Sequence, residues 1–233
     1  MKKNICFIII FTLGTTVYSQ SRKIENLKKD YIECALQNFD DKTLPIIKWE
    51  NKDTLKYHIN GTFRFMSKRN WERFLNEIEI LSNIKIVESK NIHESDINIF
   101  FGELYDYFDL YNINVSRNLI SSNFDNWHNR NYNSNKQLTN TSYCISSKTK
   151  DSRRGVYNLQ KLFLKSMGLI GELENDTSLF NKQNTDANTH LQKDDKRIIR
   201  IHYDNSIKAG MTTPEVTKVL DTFDLQTILD TKY

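Results

Sequence analysis

The stretch Leu191-Gln-Lys-Asp-Asp-Lys-Arg-Ile-Ile-Arg-Ile-His-Tyr-Asp-Asn-Ser-Ile-Lys-Ala-Gly-Met211 reads as a helix running into a turn. Asp194 and Asp195 fall in the first turn, where negative charge complements the helix dipole. Ile198, Ile199 and Ile201 bury one face at helical spacing. His202, on that apolar side, reads as a core or edge histidine. Tyr203-Asp204-Asn205 ends the helix, Gly210 permits a sharp turn, and Met211 supplies a flexible thioether to fill a core gap. Thr213-Pro214-Glu215 starts another helix with proline at its first position. Val216, Val219 and Leu220 pack that helix, and Phe223 to Leu229 adds a further turn.

The partner of this stretch is the segment from Tyr157 to Leu169, in which Leu159, Leu162, Phe163, Leu164 and Met167 give a strong 3.6 period. Further out, residues 22–38 carry Ile24, Leu27, Tyr31, Ile32, Ala35 and Leu36 on one face, a helix that either packs on the domain or lies loosely beside it. Pro45 to Trp49 and Leu55 to Ile59 read as a strand pair or one bent strand. Ser67 caps a helix whose inner face is Trp71, Phe74, Leu75, Ile78 and Leu81. Ile84, Ile86 and Glu88 open a second strand, and Asp96 to Gly102 is a third, with apolar Ile97, Ile99 and Phe101. From 103 to 141 the periodicity dissolves into aromatics and asparagines. That span is expected to be a polar loop, and a loop of this length is either functional or disordered. Its candidate binding residues are Trp127, His128 and Tyr132. Ser142 to Ser146 is a short strand. The expected fold class is α+β: a small mixed β-sheet with one long packed helix and a helical C-terminal half.

Lys2 and Lys3 precede the apolar run Ile5 to Leu13 and the small residues Val17 and Ser19, the layout of a secretory signal peptide cleaved between Ser19 and Gln20. The run is well short of the roughly 20 apolar residues that span a bilayer, so no transmembrane anchor is expected after cleavage. The expected location is periplasmic or secreted. The organisation expected is 1–19 signal peptide, 20–44 helical extension and 45–233 main domain. The 33 basic and 29 acidic residues alternate along the chain without a basic block, which argues against nucleic acid as a partner. Few glycines and prolines beside many asparagines, lysines and isoleucines suggest an AT-rich bacterial genome. Two cysteines remain after the signal. An exported protein permits a Cys34–Cys144 disulfide, and two buried free thiols are the alternative.

A strand, a helix, two strands and a helix ending in Met167-Gly168-Leu169 is the order of zincin metallopeptidases, whose helix carries His-Glu-x-x-His. Histidines four apart on one face bind Zn²⁺, and the glutamate between them activates the bound water. Registered on Met167-Gly168-Leu169, the two histidine positions hold Lys161 and Lys165, and the glutamate position holds Leu162. A protonated lysine repels a dication and leucine is no base. His58, His93, His128, His190 and His202 are scattered, with no pair at i and i+4, and no serine sits in a Gly-x-Ser-x-Gly elbow. The expected metal, cofactor and catalytic assignment is therefore none.

Leu191, Asp195-Lys196, Ile199-Arg200, Tyr203-Asp204 and Ile207-Lys208-Ala209-Gly210-Met211 resemble the closing signature of a bacterial family of exported proteins and lipoproteins of unknown function. Ser166-Met167-Gly168-Leu169, Asn175-Asp176-Thr177-Ser178-Leu179-Phe180, Ile47-Lys48-Trp49, Tyr57-His58-Ile59 and Asp96-Ile97-Asn98-Ile99 extend that likeness. The family's layout is zincin-like, and this chain departs from it at Leu162, Lys165, Asn205 and Ala209. The resemblance implies a degenerate, metal-free metallopeptidase-like scaffold. It would be a non-catalytic protein that binds a peptide or glycan along the sheet edge, or one with a purely structural envelope role. The alternative is a secreted peptidase-like hydrolase with a non-standard site.

Overall fold

In the computed structural model the described residues are 20–36, 38–39, 42–115, 126–182 and 189–231. The signal peptide assigned to 1–19 lies outside them.

A helix over residues 20–35 (α1) comes first. Its Leu27, Tyr31, Cys34 and Ala35, with Leu36 just after it, are buried in the main core. The helix is thus packed on the domain, not loosely attached. A two-residue antiparallel pair, Asn38–Phe39 with Lys42–Thr43, comes next, and five longer strands follow: β1 Thr54–Asn60, β2 Lys85–Glu88, β3 Ile97–Gly102, β4 Asn126–Tyr132 and β5 Leu138–Ser146. They form one mixed sheet in the order β2-β1-β3-β5-β4. The first three pairings are parallel, and β4 runs antiparallel to β5 at the edge. The helices are α2 Lys68–Ser82, α3 Leu104–Leu110, α4 Ser152–Ser166, α5 Lys193–His202, α6 Thr213–Thr222 and α7 Leu225–Asp230. The result is an α+β domain.

One sheet face carries Ile97, Ile99 and Tyr143 into the main core. There Trp71 of α2 stacks on Phe74 at 5.4 Å and meets Phe163 of α4 edge-on at 5.3 Å, the offset and perpendicular geometries that aromatic quadrupoles favour. The opposite face is smaller: Phe100 and Cys144 pack under Leu104, Tyr107 and Phe108 of α3.

Asp151 caps α4 by accepting from the Arg153 N–H at 2.7 Å and the Arg154 N–H at 3.3 Å. The helix is buried on most of its circumference, including Asn158, Gln160 and Lys161. It ends at Gly168, whose φ of +99° suits a left-handed stop; a Cβ there would lie 2.0 Å from the Ile47 carbonyl oxygen. Three residues on, a Cβ at Gly171 would lie 1.8 Å from the Glu33 carbonyl oxygen. The bare glycine lets its N–H reach the Cys34 carbonyl at 2.8 Å and bind α1 to the chain.

Two sequence expectations are corrected and one open choice is resolved. Residues 45–49 form no strand of the sheet. The Ile46 N–H donates to Met211, its carbonyl accepts from Gly210, and the Lys48 carbonyl accepts from Leu138, so the segment divides its bonds between two neighbours. The span 103–141 is not one polar loop: it contains α3, β4 and the start of β5, while residues 116–125 lie outside the described set. The Cys34–Cys144 bridge is not formed. Both are free, buried thiols, one in the main core and one under α3.

Candidate functional site

The site is built where α4 passes the antiparallel edge of the sheet. Lys161 and Lys165 are one helical turn apart and so share a face. The next turn of chain brings Glu172 to both: its Oε1 lies 3.1 Å from Lys161 Nζ and 2.8 Å from Lys165 Nζ. Lys161 also donates to the Asn181 carbonyl at 2.6 Å, which accepts in addition from the Tyr157 hydroxyl at 2.8 Å. Burial lowers the Lys161 pKa, opposed by Glu172. Burial alone would raise the Glu172 pKa, but the Lys165 and Lys161 ammoniums outweigh it and hold the carboxyl below its ordinary value. The sequence reading placed these lysines at the two histidine positions of a metal helix. They are locked into a three-residue ionic cluster, with only 6 % of the Lys161 side chain exposed.

The segment behind the cluster is fixed by Asp195, buried in the first turn of α5. It accepts from Ser178 Oγ at 2.5 Å, from the Leu179 N–H at 3.1 Å and from the Gln192 N–H at 2.9 Å. Burial pushes its pKa up to about 6, against those three hydrogen bonds, which favour the charged form. At the other end of α5, buried Lys48 donates to the carbonyls of His202 at 2.8 Å and Ile207 at 2.9 Å. Burial lowers its pKa to about 8.

The expected binding residues Trp127, His128 and Tyr132 lie on β4, not on a loop, and alternation separates them. His128 turns toward α4, its Nε2 3.0 Å from Ser166 Oγ. Its pKa falls well below the ordinary value, first through burial and then through Arg130 and Lys165, so it is neutral. Trp127 points to the other face and meets Phe108 edge-on at 5.2 Å. Tyr132 is at the exposed end of the strand, with Lys136 Nζ 4.6 Å from its ring centroid. The three do not converge.

Sequence reasoning missed Glu172, Ser166 and Arg130. Arg130 could have been found as the residue two after His128, which a strand places on the same face.

The remaining histidines lie elsewhere. His202 is fully buried with Nδ1 3.4 Å from the Tyr31 hydroxyl. His58 Nδ1 lies 2.9 Å from the Ser89 carbonyl. His190 lines a separate cleft of about 650 Å³ between α2 and α4. Among the described residues no three His, Cys, Asp or Glu side chains are grouped to hold a metal ion, and no helix is long and apolar enough to cross a membrane.

The Ser166–His128 contact has the atoms of a nucleophile and base. Ser166 is fully buried, however, and no acid bonds the other ring nitrogen of His128 among the described residues. The pair ties helix to strand.

The outer edge of β4 has no neighbouring strand among the described residues. Such an edge presents backbone N–H and C=O groups to any extended chain of matching register. A family described as Protein of unknown function (DUF2927) matches residues 24–222. No curated protein matches the chain.

Proposed function

The chain belongs to this family of unknown function, and we propose that it is an exported, non-catalytic binding protein on a zincin-like scaffold. An extended peptide would lie along the free edge of β4. The observation that carries this reading is the Lys161–Glu172–Lys165 cluster beside an edge strand whose outer side has no neighbour among the described residues. The order β1, α2, β2, β3, then α3, the antiparallel edge strand β4, β5 and a helix with Gly168 three residues after Lys165, supports the scaffold. In the pattern His-Glu-x-x-His-x-x-Gly-x-x-His, Gly168 stands at the glycine and Lys161, Lys165 and Gly171 at the metal ligands. A zinc ion does not fit these residues. Two ammoniums already bound to a carboxylate offer no lone pair to a metal, and Leu162 is buried where a base would stand. The fold then keeps the strand edge and not the chemistry, and main-chain pairing supplies affinity without sequence-specific catalysis.

Titration of mature protein into fluorescent extended heptapeptides, followed by mass spectrometry of the peptide, tests the reading. Saturable binding with intact peptide is expected. Cleavage would instead favour a hydrolase, for which the Ser166–His128 contact is the one structural argument. Saturable binding of oligosaccharides alone would shift the ligand to a glycan. Binding of neither would leave a structural envelope role.

A further inference from the structure

The edge strand carries a charge that no described residue balances. Arg130 is half-buried on β4, and no described residue gives it a hydrogen bond, an ion pair or a ring contact. Other inner arginines are matched: Arg197 donates to Asp194 at 2.6 Å, and Arg64 donates to the Ser146 carbonyl at 3.0 Å. Directly across the ladder from Arg130 is Thr141, whose hydroxyl is buried and also without a partner. One alternation along β4 stands His128, held toward its neutral form first by burial and then by Arg130 and Lys165. Lys165 shares the carboxylate of Glu172 with Lys161. Among the described residues, Arg130 thus stands beside two lysines whose shared acid, Glu172, bonds to them and not to it. A partly desolvated guanidinium left unpaired is costly, and a carboxylate matching its planar fork relieves that cost.

We infer that the peptide held on β4 is acidic, placing a carboxylate against the Arg130 guanidinium. This rests on the edge-pairing reading above and names its ligand class. A glutamate or aspartate side chain and a free C-terminal carboxylate share that chemistry. Arg130 also deters self-pairing of the edge, a role that needs charge but no particular ligand.

The test uses three N-acetylated fluorescent heptapeptides of one β-prone sequence. One has a central glutamate and an amidated C-terminus, the second replaces that glutamate with glutamine, and the third is the glutamine peptide with a free C-terminus. Binding is read by fluorescence anisotropy on the full mature chain, on Arg130→Gln and on Arg130→Lys. The glutamate peptide is expected to bind about tenfold more tightly than the glutamine peptide. Arg130→Gln should erase that preference while leaving glutamine-peptide affinity in place, and Arg130→Lys should restore part of it. A preference carried by the free C-terminus instead identifies the terminal carboxylate as the partner of Arg130. Equal affinity for all three peptides on the wild type overturns the acidic inference and leaves edge pairing standing. No binding of any peptide removes edge pairing itself. If alternate N-methylation of the glutamate peptide leaves its affinity unchanged, main-chain pairing is absent and the inference fails with it.

Discussion

Lys161 and Arg130 are both cations withdrawn from water near the same junction, and the fold treats them in opposite ways. Lys161 is surrounded. Glu172 neutralises it, the Asn181 carbonyl accepts from it, and its ammonium lies 5.4 Å from the Tyr157 ring centroid. Arg130 has no such partner among the described residues. The first arrangement is what a buried charge requires to be tolerated at all. The second is tolerated because the strand is at an edge, where water can still reach the guanidinium. The helix side of the junction therefore belongs to the structure, and the strand side is where an incoming group has something to gain.

The largest consequence should come from opening the closed side. Glu172→Ala leaves two ammoniums facing each other, one almost fully buried, and should cost about 3 kcal/mol in urea unfolding. Lys161→Met, which removes the charge and keeps the apolar stem, should stay within about 1 kcal/mol of wild type, since Tyr157 still donates to Asn181. A large loss in Lys161→Met with little change in Glu172→Ala would reverse the assignment of the two sides.

The pH dependence of the segment behind the cluster is next. The folded Asp195 carboxyl, at about 6, takes up its proton more readily than the unfolded chain's. Its contribution to stability is thus complete below about pH 4 and lost as pH rises through about 6, a swing of about 2–3 kcal/mol. Stability curves of wild type and Asp195→Asn between pH 4 and 7 should differ by that swing. Parallel curves would show that the three hydrogen bonds to Asp195 outweigh its burial.

Lys48→Met should cost about 2 kcal/mol, because two buried carbonyls lose their donor. The smallest effect belongs to the open side. Arg130→Gln should change the unfolding free energy by no more than about 0.5 kcal/mol, since no hydrogen bond or ion pair among the described residues is lost. A destabilisation as large as that of Glu172→Ala would mean Arg130 is structural after all.

Much of the closed side was legible in the chain. The 3.6 period of Trp71, Phe74, Leu75 and Ile78 gave α2, and Ser67 does accept from the Asn70 N–H, at 3.2 Å. The alternation in Ile97, Ile99 and Phe101 gave β3. The four-residue spacing of Lys161 and Lys165 placed them on one face. That Glu172 would hold both was not legible, because its approach depends on the turn at Gly168 and on α1 packing against Gly171. The edge strand was hidden for a different reason. In Asn126-Trp-His-Asn-Arg-Asn-Tyr132 one face meets α4 and the other α3, but both contacts are partial and polar residues occupy each face. Period 2 in hydrophobicity needs one wet face and one dry face, and β4 has neither. A side chain without a partner among the described residues, as at Arg130, leaves no trace in sequence at all.

Elemental analysis of the mature protein, purified without tag or chelator and then equilibrated with zinc and desalted, bears most directly on the central claim. That claim is that an ammonium–carboxylate cluster occupies the turn of α4 where a zincin-like scaffold would bind metal. The account predicts far less than one zinc per chain and no rise in melting temperature with added zinc. Close to one zinc per chain, with stabilisation lost in Lys161→Met or Glu172→Ala, would contradict it and favour a metal-dependent hydrolase.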